Sequence, residues 1–336
     1  MEISTRFSLK SMAINLAIVF SFLSFSQVFS QTDIGGVINS YEAVTSITNP
    51  GCTTCDTTPG CLNQIDVADA SAFSVGDKAL IVQLKGATID QSNTATGGTI
   101  TDLGNAGNYE FFDISSIVGN SIFPSAPLKN NYDSTGYVQI VRVPNYSGDV
   151  NIVSELQALP WDDVAGEGGI IALFVEGTLT FNANINASGS GYVGVEMTVN
   201  GLPDNCSIAP NTQFNLPTGN TDGWFKGGGV AVAGVNNVKG RAPLGNGGGS
   251  GVSGDTGGGG GANYGSGGIG GNRWCDFGTI AGGIGGNGLS TFIANQNRVF
   301  FGGAGGAGFV TTNNPSQASN GGGIVVLRAE TIVGNG

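Results

Sequence analysis

Glycine placement constrains this chain more than any other feature. Of its 60 glycines, 37 lie in Gly227–Gly336, one residue in three of that stretch. They come as spaced runs: Gly267-Gly268-Ile269-Gly270-Gly271, Gly282-Gly283-Ile284-Gly285-Gly286 and Gly302-Gly303-Ala304-Gly305-Gly306. Glycine loses roughly 0.5–1 kcal/mol more than alanine on being ordered, so fixing the whole segment costs on the order of 20–35 kcal/mol beyond an alanine version. Either the segment is a flexible linker, or backbone packing offsets that cost.

Composition favours order. Flexible linkers are rich in Ser, Gln, Lys and Glu. Only eight charged residues occur in Gly227–Gly336, and the spacers include Ile269, Ile280, Ile284, Phe292, Val299, Phe300 and Phe301. A three-residue repeat suits a threefold helix rising about 3.1 Å per residue. Collagen is disfavoured, because prolines are few and the Gly-X-Y register is not sustained. The expected structure is a bundle of polyglycine-II helices, whose bare backbones come close enough to share N–H···O and Cα–H···O bonds. A linker and Gly-rich β-structure are the alternatives.

Residues 1–30 have the form of a signal peptide. Arg6 and Lys10 precede an apolar stretch, Ala13–Phe25, too short for a typical membrane span. Val28-Phe29-Ser30 fits a cleavage site before Gln31, with cleavage after Ser26 as the second option. The mature chain is expected outside the cell, at its surface. Its formal charge of −12 argues against nucleic-acid binding, which needs a basic face. No cofactor or metal is expected; the charge is compatible with acidic surfaces that hold Ca²⁺ loosely, or with nothing beyond solubility. In an exported chain the five cysteines are expected in disulfides. Cys206–Cys275 would clip a loop to the glycine region. One further pair is expected within Cys52, Cys55 and Cys61, taken as Cys52–Cys61, with one thiol left over. Zinc is disfavoured, since the chain has no histidine and three sulfurs lack a fourth ligand.

The chain divides into an opening strand and Cys-bearing loop (31–61), a β-rich module (62–148), a strand-rich, solenoid-like segment (149–226) and the glycine domain (227–336). Strands are predicted at Val37–Ile47, Ile65–Val67, Ala79–Leu84, Tyr109–Ile117 and Tyr137–Val143. Gly76-Asp77 and Gly119-Asn120 occupy expected hairpin turns. No sustained helical periodicity occurs, so a small antiparallel barrel or sandwich is expected. Gly168–Glu176 is a buried-strand run, and Thr178–Ala187 then alternates strictly. The run recurs at Gly322–Ile332 with one glycine removed, which predicts stacked rungs or sheet neighbours. The second copy lacks its alternating tail, and the chain reads as the N-terminal piece of something longer. The expected fold class is therefore mostly β: a small barrel or sandwich, then a solenoid-like sheet with a polyglycine-II bundle.

Catalysis finds little support. Without histidine, Ser-His-Asp, Cys-His and HExxH sites are impossible. Asp162-Asp163 with Glu167, beside Trp161, is the densest acidic group and reads first as a solvated loop; paired carboxylates acting on sugars are the alternative. GxGxxG-like strings follow from composition alone, and none lies between a strand and an amphipathic helix. Trp224, Tyr264, Arg273 and Trp274 are the candidate ligand-binding residues, since aromatic loops on a rigid stage suit glycan or protein recognition. Rings capping the lattice ends are the alternative reading of the same residues.

Several phrases resemble the N-terminal regions of large surface proteins of gliding Bacteroidota exported by the type IX secretion system: Ala72–Lys78, Leu84–Asp90, Gly107–Phe111, the glycine segment, and Gly321–Ala329. The resemblance implies a modular adhesin whose C-terminal sorting part engages the export machinery. It also implies O-glycosylation at Asp-Ser/Thr sites, matched by Thr57 in Asp56-Thr57-Thr58 and Ser134 in Asp133-Ser134-Thr135. The glycine segment is similar to polyglycine-II bundles of some phage-tail adhesins and of a receptor-kinase glycine-rich domain. The expected function is non-enzymatic attachment to a glycan or protein ligand, by the distal part of a surface adhesin or filament. The alternatives are a secreted β-solenoid polysaccharide-degrading enzyme, which requires a groove lined by carboxylates and basic residues, and a purely structural filament cap.

Overall fold

The computed structural model describes residues 31–49, 62–195, 212–220, 223–252, 256–273, 281–309 and 318–334. The signal segment, all five cysteines, Thr57 and Trp274 lie outside the described residues. The fold is mostly β, as expected.

In chain order the elements are β1 (Thr32–Gly36), β2 (Ser40–Thr48), β3 (Gln64–Val67), β4 (Lys78–Gln83), β5 (Thr88–Ile89), β6 (Ile100–Asp102), β7 (Tyr109–Val118) and β8 (Ser121–Pro124). They continue with β9 (Val138–Val143), β10 (Asn145–Tyr146), β11 (Val150–Gln157), β12 (Ile170–Phe181), β13 (Ile185–Asn186), a short helix α1 (Ser290–Gln296) and β14 (Ile324–Gly334). Two β-systems result. Strands β2-β3-β8-β7-β4-β9 close an antiparallel barrel. The other is a parallel sheet of stacked rungs: β1, then β10 with β11, then β12 with β13, then β14. The barrel is inserted between the first and second rungs, and the glycine segment between the third and fourth.

The recurrence of Gly168–Leu179 at Gly322–Ile332 is thus a pair of adjacent rungs. Ile170 to Val175 align residue for residue with Ile324 to Ala329. The register then shifts, and Thr178 faces Thr331. Gly177, the residue missing from the second copy, is the extra residue of that bulge, and the carboxylate of Asp149 accepts the Thr178 amide at 2.7 Å beside it.

Some predicted strands are corrected. Val37–Asn39 is not strand; the segment is split into β1 and β2, because β1 joins the rungs while β2 enters the barrel. The barrel therefore begins at Ser40. Gly119-Asn120 does make the β7–β8 hairpin. Gly76-Asp77 does not make one, since β3 and β4 are not neighbours; the turn leads into β4, and Asp77 pairs with Arg142 at 3.0 Å.

Two layers of core explain the continuous apolar runs. Ala79 and Ile81 of β4 point into the barrel with Ile65, Ile114, Ile122 and Ile140. Leu80 and Val82 point outward onto Ile170, Ala172 and Phe174 of β12. The opposite face of β12, Ile171, Leu173 and Val175, packs with Val150, Ile152 and Leu156. Strands covered on both faces lose the polar half of the alternation.

Within the described part of the glycine segment, α1 is the sole helix or strand element before β14. Elsewhere turns and isolated bridges alternate with glycine runs that bond backbone to backbone at intervals of three residues. Gly257 and Gly260 N–H donate to Gly271 and Gly268 carbonyls (2.9 and 2.8 Å), Gly270 and Gly267 to Gly283 and Gly286 (2.8 and 3.0 Å), and Gly283 and Gly286 back to Gly257 and Gly260 (both 2.9 Å). A Cβ on Gly258 would lie 1.9 Å from the Gly306 carbonyl oxygen, and one on Gly261 would lie 1.9 Å from that of Gly303. Backbone thus fills the space that side chains fill elsewhere.

Candidate functional site

A cleft of about 640 Å³ opens where the barrel meets the rungs, lined by Lys78, Asp113, Asn145, Phe174, Glu176, Arg328 and Glu330 among others. Its residues come from both β-systems. Lys78 opens β4 and lies opposite Asp113 of β7 in the barrel ladder. Phe174 of β12 lies between Asn145 of β10 and Arg328 of β14 in the rung stack. The Phe174 ring forms a nearly buried floor, 7% exposed, held by the Phe111 ring with centroids 4.7 Å apart. Two cations approach it: Lys78 Nζ at 5.7 Å from the centroid and Arg328 Cζ at 5.4 Å. Lys78 donates to Asp113 Oδ1 at 2.6 Å. Arg328 makes no ion pair among the described residues. Glu176 and Glu330 extend from adjacent rungs at the bulge, where strand spacing is about 4.8 Å. A rigid aromatic floor under charged, hydrogen-bonding side chains of both signs can orient a hydroxyl-rich ligand.

The sequence did not single out this cleft. Its residues lie far apart in the chain and belong to elements that are individually unremarkable. The repeated Glu176 and Glu330 at equivalent positions of a recurring strand were the available signal.

Trp224, Tyr264 and Arg273 do not line this cleft, and Trp274 lies outside the described residues. Trp224 is 7% exposed and packs on Ala307 and Phe309, with the Phe309 ring centroid at 5.8 Å. Arg273 is 1% exposed. Both therefore occupy buried positions. Tyr264 is 63% exposed, with Ile269 at 64% nearby in the sequence. Ser134 starts a 3-10 turn, half-buried, and the neighbouring Asp133 carboxylate accepts Thr135 N–H and Oγ1–H at 3.0 and 2.8 Å.

Asp162 and Asp163 are held by local bonds. Asp162 Oδ1 accepts the amides of Val164 and Ala165 (2.8 and 3.0 Å), bonds that hold its carboxyl below the usual range. Asp163 pairs with Lys85 at 2.5 Å and accepts Trp161 Nε1–H at 3.1 Å. Lys85 lies 4.6 Å from the Tyr137 ring, so this cluster ties the barrel to the turn between rungs. Among the described residues no group of three or more metal-ligating side chains forms.

Lys226 is the most unusual buried cation. It is 3% exposed and donates to the side-chain oxygen of Asn215, a neutral partner. Burial lowers its pKa to about 7. The unfolded chain holds the proton up to about pH 10.4, so between these values it binds more protons than the native state, and native stability rises with pH. Replacing Lys226 by methionine is expected to stabilise the protein most at pH 6, on the order of 4 kcal/mol less the loss of the Asn215 bond, and progressively less toward pH 10. Thermal melts of both proteins across that range check it; a difference that does not change with pH would contradict a depressed pKa.

Comparison with models of known protein families finds no match, and no curated protein matches the chain. Two solved structures resemble part of it. The tailspike protein gp49 from Pseudomonas phage LKA1 aligns with 48% of this chain and 25% of its own, at 16% identity and a TM-score of 0.20. The Gp54 tailspike of Acinetobacter baumannii bacteriophage AP22, solved with A. baumannii capsular saccharide, aligns with 47% of this chain and 27% of its own, at 14% identity and a TM-score of 0.22. The matched stretch thus spans about a quarter of each tailspike, and overlap this low transfers nothing of their ligands to this chain. No helix among the described residues is long and apolar enough to cross a membrane.

Proposed function

We propose that this chain is an extracellular attachment module, and that the cleft between barrel and rungs is its glycan-binding site. The observation behind this reading is the Phe174 floor flanked by Lys78, Arg328, Asn145 and three carboxylates, on elements fixed by two packed cores. The glycine array acts as a stiff stage rather than as the binding surface, and its three-residue bonding interval supports a polyglycine-II arrangement. Export to the cell surface through the type IX route rests on the signal segment and on the resemblance of its phrases. Tyr264, on the exposed side of the lattice, is a secondary contact.

The test is a glycan array probed with the purified chain. Binding to a defined set of polysaccharides is expected, weakened at least tenfold by Lys78→Ala with Asn145→Ala and unaffected by Tyr146→Phe outside the cleft. Binding that survives the double substitution would move the site away from the cleft.

One observation favours a second reading. Asp113, Glu176 and Glu330 with Lys78 and Arg328 make the groove of carboxylates and basic residues expected of a polysaccharide-degrading β-solenoid. Release of reducing ends from a bound polysaccharide, abolished by Glu176→Gln or Glu330→Gln, would establish it.

A further inference from the structure

Arg142 donates to the Asp77 carboxylate at 3.0 Å, Arg241 to the Gly282 carbonyl at 3.0 Å, and Arg298 to the carbonyls of Gly104 and Ala106 at 2.8 and 2.7 Å. The Arg328 guanidinium, in the cleft, donates to no oxygen among the described residues. It lies 5.4 Å from the centroid of the Phe174 ring, which Phe111 holds in place. Packing against a ring leaves the N–H donors of a guanidinium available at its edge. Lys78, the other cation over Phe174, is already engaged by Asp113 at 2.6 Å.

Glu176 and Glu330 lie two residues farther along the strands from Phe174 and Arg328, roughly 7 Å along the strand axis, and both are exposed. Neither carboxylate forms an ion pair or a side-chain hydrogen bond among the described residues. The cleft therefore has a donor end and an acceptor end, each without a partner in the protein. A guanidinium offers only donors, in a planar fork that a carboxylate meets with two parallel bonds. A carboxylate side chain offers only acceptors, which sugar hydroxyls satisfy as donors. The two ends thus call for different groups on one ligand. Two cations stand against three carboxylates in the cleft, which opposes a ligand of high negative charge and favours a sugar with a single oxyanion.

We infer that the cleft selects acidic glycans: Arg328 seats the carboxylate of a uronic-acid residue against Phe174, while hydroxyls of the ligand donate to Glu176 and Glu330. This rests on the cleft being the glycan site proposed above, and adds the class of sugar it takes.

An array of uronate polysaccharides, each beside its carboxyl-reduced counterpart and accompanied by sulfated neutral glycans, tests this. The unaltered chain is expected to bind a uronate polymer roughly tenfold more tightly than the same polymer after carboxyl reduction, the factor for exchanging charge-assisted bonds for neutral ones. Arg328→Gln is expected to erase that preference by weakening uronate binding alone. Arg328→Lys, which keeps the charge without the fork, restores only part of it. The matched polymers read the preference on the unaltered chain as well, so the test stands if a substitution impairs folding. Glycan binding without preference between matched polymers overturns the inference and leaves the attachment reading in place. So does a preference that Arg328→Gln leaves intact, or tighter binding to sulfated glycans than to uronates. Binding to no glycan overturns the attachment reading itself, and the inference with it.

Discussion

Alanine at Gly267 is expected to destabilise the protein by about 3–5 kcal/mol, while alanine at Gly268, the next residue, leaves stability unchanged or raises it by about 0.4–1 kcal/mol. The contrast comes from where a Cβ would go. At Gly267 it would lie 2.0 Å from the Gly260 carbonyl oxygen and 2.7 Å from its carbon, atoms of a backbone that cannot rotate aside. Relief requires the two runs to separate, which strains the bonds from Gly267 to Gly286 (3.0 Å) and from Gly260 to Gly268 (2.8 Å). At Gly268 nothing lies within 4 Å, and its φ is not in the left-handed region. There alanine only narrows the unfolded ensemble. The same alternation holds at Gly270, where a Cβ would lie 2.2 Å from Gly257 O, against the open Gly271, and at Gly321, where one would lie 1.8 Å from Gly302 O, against the open Gly322. Chemical denaturation of the two single variants decides it. Equal loss at both positions would mean that backbone flexibility, not close approach, selects these glycines, and would count against an ordered array.

The second large effect is expected at Asn246, which is fully buried among backbones. Its Nδ2 donates to the carbonyls of Ala262 and Phe301, both at 3.1 Å, and its Oδ1 accepts Val230 N–H at 2.8 Å. Its own backbone carbonyl accepts Ala262 N–H at 2.8 Å. One side chain therefore joins three passes of the chain in a region with few others to do so. Asn246→Asp keeps the shape but places a carboxylate against two carbonyl oxygens, and Asn246→Leu leaves the Val230 amide without its acceptor. Either is expected to cost about 3–5 kcal/mol, the penalty of burying unsatisfied or repelling polar groups. Melting temperatures of both variants check it; a loss below about 1 kcal/mol would show that water or a shifted backbone replaces the side chain.

Much of the fold was legible because its signals are local. The spaced glycine triplets with apolar spacers marked an ordered backbone array, since few other compositions leave backbone free to pack on backbone. The run Gly168–Glu176 and its copy at Gly322–Ile332 marked stacked rungs or sheet neighbours; that the single missing glycine corresponds to a bulge at Gly177 came from the strand register. Gly119-Asn120 marked a hairpin. What required tertiary structure was every relation between distant segments. β1 could not be told from β2 as a rung, because its partner Val150–Leu156 lies more than a hundred residues away. Trp224 and Arg273 were candidate binding residues, with rings capping the lattice ends as the alternative reading, because aromatic and charged residues beside glycine runs fit either. The lattice buries them, since runs without side chains leave room for the few large ones present. The cleft arises only where two independently ordered β-systems meet, so Lys78, Phe174 and Arg328 become neighbours through packing and not through spacing. Local chemistry determined which elements form; the juxtaposition of barrel and rungs determined which side chains line the cleft between them.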